Sequence, residues 1–243
     1  MTTTSPATTP LRTPPRPATW ALKVTMAVTG SVWALFLLVH LFGNLKVYTG
    51  GSHFNGYAHW LRHAFEPLMP EEFVLWLLRI VLAVCLVLHV YAATTLFLRA
   101  RRARGKFRTR RVRRAGLASL SARLMPVTGV FILAFLVTHL LDLTIGTKPI
   151  APESFAGHDA AQSFAYENLV ASFSRWWMAV IYVGTMLLLA LHVAHGGRTL
   201  ATDLGAIGNR LRAAFVWAGA LAAIAILLGN ASIPIAVQMR WLA

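Results

Sequence analysis

Five long apolar runs alternate with polar loops along the chain, near residues 23–43, 73–98, 120–145, 174–195 and 213–236. Each run has roughly the 20 residues that an α-helix needs to cross the hydrocarbon core of a bilayer. Within lipid the backbone must satisfy its own hydrogen bonds, which favours helices. The pattern therefore predicts an all-α membrane protein with five transmembrane helices in an antiparallel bundle.

The composition argues against a soluble enzyme. Hydrophobic residues make up 57% of the 243-residue chain and charged residues 13%, whereas soluble domains carry about 25% charged residues. Residues 1–19 are rich in Thr and Pro and lack the apolar core of a signal peptide. They are predicted to form a disordered cytoplasmic tail before a five-helix domain at 20–243. Cys85 is the single cysteine, which excludes a disulfide framework.

The distribution of basic residues predicts the orientation of the helices. The chain carries 23 Lys and Arg against 8 Asp and Glu, a formal net charge of +15. The loop at 99–114 alone holds ten Lys and Arg and no acid, and the loop at 198–212 is also basic. Lys and Arg are concentrated in cytoplasmic loops. We therefore expect the N-terminus and both basic loops in the cytoplasm and the C-terminus outside.

Two pairs of apolar runs resemble each other, and each run carries a histidine. Residues 28–41 (VTGSVWALFLLVHL) and 127–140 (VTGVFILAFLVTHL) share the pattern V-T-G-x9-H-L, which places His40 and His139 at equivalent positions. The second and fourth runs align around His89 and His192. Helices 1–2 and 3–4 are therefore predicted to form a diverged repeat. Ionisable residues inside spans are costly and are candidates for function.

These four histidines fall at two depths of the predicted bundle. His40 and His139 lie near the outer face, and His89 and His192 lie near the cytoplasmic face. Two imidazoles from two helices at one level are how a bundle presents axial ligands to haem iron. Zinc fits less well, because two ligands fall short of its usual three or four. We therefore expect two bis-histidine b haems.

Two glycines of the repeat support these levels. Gly30 and Gly129 precede the outer histidines by ten residues, or about 15 Å along a helix. They are therefore expected at the level of the inner histidines. A small residue there either admits a flat macrocycle against the helix backbone or allows close helix packing.

The ligand set at the inner level remains open. His195 follows His192 by three residues and competes with it as a ligand, although the repeat aligns His192 with His89. Cys85 precedes His89 by one helical turn. An inner metal or Fe–S cluster held by Cys85, His89, His192 and His195 is thus an alternative to haem, although Rieske clusters use two cysteines.

Several stretches around the histidines share a wider pattern: VHLFGN at His40, HFNGYAHWLR at 53–62, LHVYAATTLFLR at His89, MPVTGVFILAFLVTHL at His139 and LHVAHGGRTLATDLG at His192. They resemble the membrane anchor of succinate dehydrogenase and fumarate reductase, in its single-subunit, five-helix, di-haem cytochrome b form. The resemblance covers roughly residues 23–236. Gly196 fits the H-x-x-x-G pattern of that family after His192.

The resemblance implies a function and a set of partners. It implies that His40 and His139 hold a distal haem and that His89 and His192 hold a proximal one. It also implies a flavoprotein subunit and an iron–sulfur subunit docked on the cytoplasmic side of a bacterial cytoplasmic membrane. Electrons from succinate are then expected to pass through the two haems to a quinone, with menaquinone as the expected type. Ala190 stands where some menaquinol-linked members have a glutamate, which argues against a proton path of that type.

Polar residues beyond the histidines are candidates for ligand binding. A quinone site needs hydrogen-bond partners beside an apolar slot, and the segment after the first span offers four near the outer pair: Tyr57, His59, His63 and Glu66. His59 and His63 share a face if that segment is an interfacial helix. An arginine inside a span needs an anion, for which a haem propionate is expected. The candidates are Arg79 and Arg175 at the outer level, and Arg99, Arg123 and Arg198 at the inner level.

Other functions are compatible with the same pattern. One is the haem-bearing membrane subunit of another quinone-linked oxidoreductase, such as a hydrogenase or formate dehydrogenase. Another is a haem-free transporter or anchor that uses the histidines as a proton relay. Asp142, three residues past His139, is close enough to the outer pair to take part in proton handling.

Overall fold

The computed structural model describes residues 17–103, 117–159 and 162–243, with the side chains of 117–121 excepted. Within these ranges the chain forms helices and connecting turns, with no β-strand. The helices are α1 (Thr19–Asn44), α2 (Gly51–Arg62), α3 (Phe73–Ala103), α4 (Leu117–His139), α5 (Ala165–Ser174), α6 (Trp176–Asp203) and α7 (Asn209–Gln238). A 3₁₀ turn spans Leu45–Thr49, and a π-helical segment spans Leu140–Ile145.

Five helices of the described chain are long and apolar enough to cross a membrane: α1, α3, α4 with its π-helical extension, α6 and α7. They coincide with the five apolar runs, so the predicted helical membrane fold is confirmed. The fourth span begins at Trp176 rather than at 174, because Arg175 is extended (φ −80°, ψ 103°) and separates α5 from α6. Residues 1–16 of the predicted tail and 104–114 of the basic loop lie outside the described residues.

Helices α1 and α6 form the centre of the bundle. Helix α1 packs against α3, α6 and α7, and α6 packs against α4 and α7. Helices α6 and α7 cross at two glycines, where a Cβ on Gly197 would lie 2.7 Å from Cα of Gly219. The most apolar stretches of α3 and α4 are only 6% buried, against 39% in α6 and α7. Helices α3 and α4 therefore leave long apolar faces for lipid or for bound groups.

We call the end of the bundle that holds His40 and His139 the outer end, and the opposite end the inner end, after the predicted orientation. Helices α2 and α5 cover the outer end, where Val47, Phe54 and Phe173 are buried in one apolar cluster. Asn55 of α2 donates from Nδ2 to a carboxylate oxygen of Glu167 at 2.8 Å. These contacts join α2 to α5, so the outer loops form a packed cap.

Candidate functional site

The inner histidine of α3 lies against the V-T-G motif of α1. Nδ1 of His89 is 3.2 Å from Oγ1 of Thr29, and a Cβ on Gly30 would lie 3.1 Å from Cε1 of His89. The glycine therefore leaves room for the imidazole of the neighbouring helix. Arg99, ten residues after His89 on α3, donates to Thr19 at the start of α1, so the two helices are antiparallel.

The second half of the chain repeats this arrangement. Nδ1 of His192 on α6 is 3.0 Å from Oγ1 of Thr128 on α4, and a Cβ on Gly129 would lie 3.7 Å from Cε1 of His192. The predicted repeat is thus confirmed as a repeat of side-chain contacts. It also marks His192, and not His195, as the structural equivalent of His89.

The outer histidines approach each other directly. The ring centroids of His40 and His139 are 6.0 Å apart with an interplanar angle of 83°. Phe36 stacks on His40 at 5.4 Å, and Phe135 stacks on His139 at 5.9 Å. The aromatic residue in each case precedes the histidine by four residues, so both rings are held from their own helices.

The two levels are separated as the sequence predicts. The contact between Gly30 and His89 places the inner level ten residues before His40 on α1. Ten residues of helix correspond to about 15 Å. The contact between Gly129 and His192 places the inner level at the same spacing before His139 on α4. The glycines lie at the inner level, and there they face an imidazole ring.

The threonine hydroxyls beside the two inner histidines define which ring nitrogen is left without a proton. Thr29 donates its hydroxyl proton to the Thr25 carbonyl at 2.7 Å, so its oxygen accepts a hydrogen bond from Nδ1–H of His89. Thr128 similarly donates to the carbonyl of Met125 and accepts from His192. With the proton on Nδ1, the lone pair of each imidazole is on Nε2. This is how proteins usually orient a histidine that ligates a metal.

The outer histidine of α4 has a different partner, which the sequence did not reveal. Nδ1 of His139 is 3.2 Å from the hydroxyl of Tyr182, and Tyr182 donates to Oδ2 of Asp142 at 3.0 Å. Asp142 is fully buried. Tyr182 precedes His192 by ten residues, the same spacing that separates the two levels on α4. That spacing is the sequence signal that places Tyr182 at the outer level.

The five arginines proposed for propionates occupy varied positions. Arg175 donates to Oδ1 of Asp142 at 2.7 Å, and Arg79 donates to Glu72 at 2.9 Å. Arg99 donates to Thr19 and to the carbonyl of Pro17. Arg123 and Arg198 are exposed. Their role toward a propionate stays a prediction, and Arg79 and Arg175 already have carboxylate partners in the chain.

The carboxylate of Glu72 lies at the centre of a charged cluster at the start of α3. Burial raises its pKa, but the hydrogen bond from Arg79 and the charges of Arg79, Arg62 and His158 outweigh that effect. The pKa of Glu72 therefore lies below its ordinary value. Nε2 of His158 is 3.6 Å from the same carboxylate. The cluster ties the loop before α3 to α2.

The four quinone candidates lie on or just after α2, which confirms a short helix there. His59 and His63 share one face, with ring centroids 4.0 Å apart and nearly parallel. Tyr57 packs against α1, because a Cβ on Gly43 would lie 3.1 Å from its hydroxyl oxygen. Gly43 is three residues after His40, so Tyr57 lies beside the outer level. Glu66 is exposed in the turn that follows.

The residues at the outer level fit a bound haem. His40 and His139 bring two imidazole rings from two helices to within 6.0 Å, and these two side chains would hold the haem iron. The indole Nε1 of Trp33, between the two levels on α1, is buried and has no hydrogen-bond partner among the described residues. Such a donor is costly unless a further group accepts from it.

The alternative inner cluster is not assembled in the described ranges. Among those residues, no three His, Cys, Asp or Glu side chains lie close enough together to hold a metal ion. Cys85, His89, His192 and His195 therefore do not form such a group. The two outer histidines, which lie together without a third such side chain in the part of the chain that the structure describes, are not a group of this size. Cys85 is a free, half-buried thiol.

The fold and the site together define a multi-pass helical membrane protein with half-buried histidines arranged by an internal repeat. Residues 99–228, just over half of the chain, match the sequence profile of the succinate dehydrogenase/fumarate reductase transmembrane subunit. The chain belongs to that family. It is therefore a membrane subunit of an oxidoreductase complex, and membership implies association with the catalytic subunits. No curated protein and no solved structure matches the chain significantly.

The matched region covers the second half of the internal repeat and not the first. It includes His139 and His192, whereas His40 and His89 precede it. The equivalence of His89 to His192 rests on the repeated Thr–His contacts, and that of His40 to His139 on the shared V-T-G-x9-H-L pattern. The family match also favours a succinate dehydrogenase or fumarate reductase over the hydrogenase and formate dehydrogenase alternatives.

Proposed function

We propose that this subunit is the di-haem cytochrome b anchor of a succinate dehydrogenase, which passes electrons from an iron–sulfur partner subunit to a quinone, menaquinone in the first instance. The observation that carries the proposal is the duplicated contact of Thr29 with His89 and of Thr128 with His192. It orients two imidazoles at one level of the bundle, while His40 and His139 form a second level. Haem supplies one-electron redox chemistry when it is bound at such ligands.

The residues of this chain have separate tasks in that function. His40 and His139 present imidazoles at the outer level, and His89 and His192 present them at the inner level. Thr29 holds the Nδ1 proton of its histidine and so leaves Nε2 for iron. The apolar spans exclude water from both levels, which tunes the redox potential of a bound metal.

The outer end supports a quinone site. Tyr57 lies beside the outer level, and the ammonium of Lys46 is 5.0 Å from the centroid of its ring. A tyrosine hydroxyl and the imidazoles of His59 and His63 are suitable hydrogen-bond partners for quinone carbonyls. The apolar cluster of Val47, Phe54 and Phe173 under α2 and α5 provides the hydrophobic surroundings that a quinone ring requires.

The test is a haem assay on the purified, intact complex. Two b haems per chain by pyridine haemochrome, with low-spin bis-histidine spectra, are expected. His40→Ala should remove mainly the outer haem, and His192→Ala mainly the inner one. His195→Ala is the matched control, since it lies on the same helix one turn later, and it should spare both haems.

Four results would contradict the proposal or one part of it. A complex without haem would exclude the cytochrome function and favour a haem-free anchor. Equal loss of both haems from either ligand variant would contradict the two levels. Loss of the inner haem in His195→Ala would move that ligand from His192 to His195. Nickel or molybdenum in place of flavin in the co-purifying subunits would indicate another quinone-linked oxidoreductase.

A further inference from the structure

A buried carboxylate stands behind the outer histidine of α4. Asp142 lies in the π-helical segment that continues α4, and it is completely buried. Its Oδ2 accepts hydrogen bonds from Ser172 at 2.6 Å and from Tyr182 at 3.0 Å. Its Oδ1 accepts from Arg175 at 2.7 Å. Because π-helical turns are frequent at functional sites, a saturated carboxylate at this place calls for an explanation.

The hydrogen bonds form a chain that leads to the histidine. Tyr182 donates its proton to Asp142, so its oxygen accepts from Nδ1–H of His139 at 3.2 Å. The inner histidines meet a threonine instead, and Thr29 and Thr128 donate to backbone carbonyls. The outer site therefore has an anion at the end of its hydrogen-bond chain, whereas the inner site has a neutral amide.

This difference has a chemical consequence. An anionic acceptor makes the tyrosine oxygen more electron-rich, and hydrogen bonds in such a chain strengthen one another. The Nδ1–H of His139 is then more strongly polarised, which makes Nε2 a better donor to a metal. A stronger donor stabilises the oxidised metal more than the reduced metal.

We propose that Asp142 is a positioning residue that acts through Tyr182 on His139 and lowers the reduction potential of iron bound at the outer level. The inference rests on the proposed function, because it requires haem iron between His40 and His139. Asp142 itself contacts neither iron nor quinone.

Arg175 allows a second test, in which the reduction potential should shift in the opposite direction. Its guanidinium donates to Asp142 and to the carbonyl of Ile150, and it draws negative charge away from the carboxylate. Asp142→Asn removes the charged acceptor of Tyr182 and raises the potential of the outer iron. Arg175→Gln leaves a carboxylate that accepts more strongly from Tyr182, so it lowers the potential through the same chain. A purely structural ion pair predicts no such opposition.

The experiment is a spectroelectrochemical titration of the haems in the purified complex, with Asp142→Asn, Tyr182→Phe and the double variant. In Asp142→Asn the ratio of reduced to oxidised outer haem at a fixed potential should rise about fivefold, the difference between a charge-assisted and a neutral hydrogen bond. In Tyr182→Phe it should rise at least as much, because Nδ1–H of His139 loses this acceptor. The double variant should shift no further than Tyr182→Phe alone, because both changes interrupt one chain. Asp203→Asn is the matched control, since Asp203 pairs with Lys23 at the inner end, and it should leave the outer haem unchanged.

The outcomes separate the two proposals. A wild-type complex without haem overturns the proposed function. Two haems with an unchanged outer potential in Asp142→Asn overturn this inference alone. A double variant that shifts by the sum of the single variants shows direct electrostatics and overturns the route through Tyr182. If Asp142→Asn does not assemble, Tyr182→Phe decides, because it keeps the ion pair of Asp142 with Arg175.

Discussion

The hydroxyl of Thr29 and Nδ1 of His89 lie 3.2 Å apart on two different helices. Because the hydroxyl proton is committed to the carbonyl of Thr25, the threonine can only accept from the histidine. One side chain thus sets both the rotamer and the protonated nitrogen of its neighbour. Thr128 and His192 repeat the relationship at 3.0 Å.

Replacement of Thr29 or Thr128 by Val should weaken haem binding at the inner level. Valine keeps the shape of the side chain but cannot accept from Nδ1–H, and loss of such partners typically costs about tenfold or more in metal affinity. The measurement is the rate of haem transfer from the purified complex to an excess of a haem-scavenging protein. Thr138→Val is the matched control, because the Thr138 hydroxyl bonds to the carbonyl of Ala134 on its own helix. Equal transfer rates in all three variants would contradict the role of the threonines.

Gly30→Ala should disturb the inner level more than Gly129→Ala. An added Cβ lies 3.1 Å from Cε1 of His89 in the first case and 3.7 Å from that of His192 in the second. Only the first requires the imidazole to move by a few tenths of an ångström. We expect an altered low-spin EPR signal of the inner haem in Gly30→Ala and a signal close to wild type in Gly129→Ala. The reverse order would show that the two halves of the repeat are packed differently from the structure.

Gly197→Val should destabilise the bundle. Its Cβ would meet the backbone of α7 at 2.7 Å, and backbone cannot rotate away as a side chain can. Overpacking of this kind typically costs about 1–3 kcal/mol. Gly184→Val on the same helix is the control, because no heavy atom lies within 4 Å of that Cβ position. The apparent Tm of the solubilised complex should fall in the first variant and stay near wild type in the second.

Acid should weaken the outer cap through Glu72. Its folded pKa is lowered, so its contribution is fully present above the unfolded pKa of about 4.3 and is lost as the pH falls through the lower folded value. The measurement is the apparent Tm of the purified complex between about pH 7 and pH 3. Glu72→Gln should be less stable at neutral pH, and the difference from wild type should shrink with acid.

The control for that prediction is Glu71→Gln, because Glu71 is exposed and its neighbour His63 lies 3.8 Å away. It should keep the acid dependence of the wild type. A constant difference in Tm between wild type and Glu72→Gln across the range would show that the charge of Glu72 carries no stability.

Much of the fold followed from the one-dimensional pattern. An apolar run that crosses a bilayer must pair its backbone N–H and C=O groups within itself, which a helix does. Five apolar runs were therefore enough to predict α1, α3, α4, α6 and α7. The ends of the helices were harder to predict, because the hydropathy pattern does not show where a single residue such as Arg175 becomes extended. The levels of the histidines also followed, since helical rise converts sequence spacing into depth.

The sequence by itself determined the number of spans, the internal repeat and the positions of His40, His89, His139 and His192 along their helices, because each of these depends on spacing within one helix. Only the tertiary structure decided which side chains meet between helices. The pairing of Asp142 with Arg175 and the contact of Tyr182 with His139 join residues more than 30 positions apart. Such contacts depend on how each helix is rotated about its axis, and that rotation is set by the packing of all its neighbours.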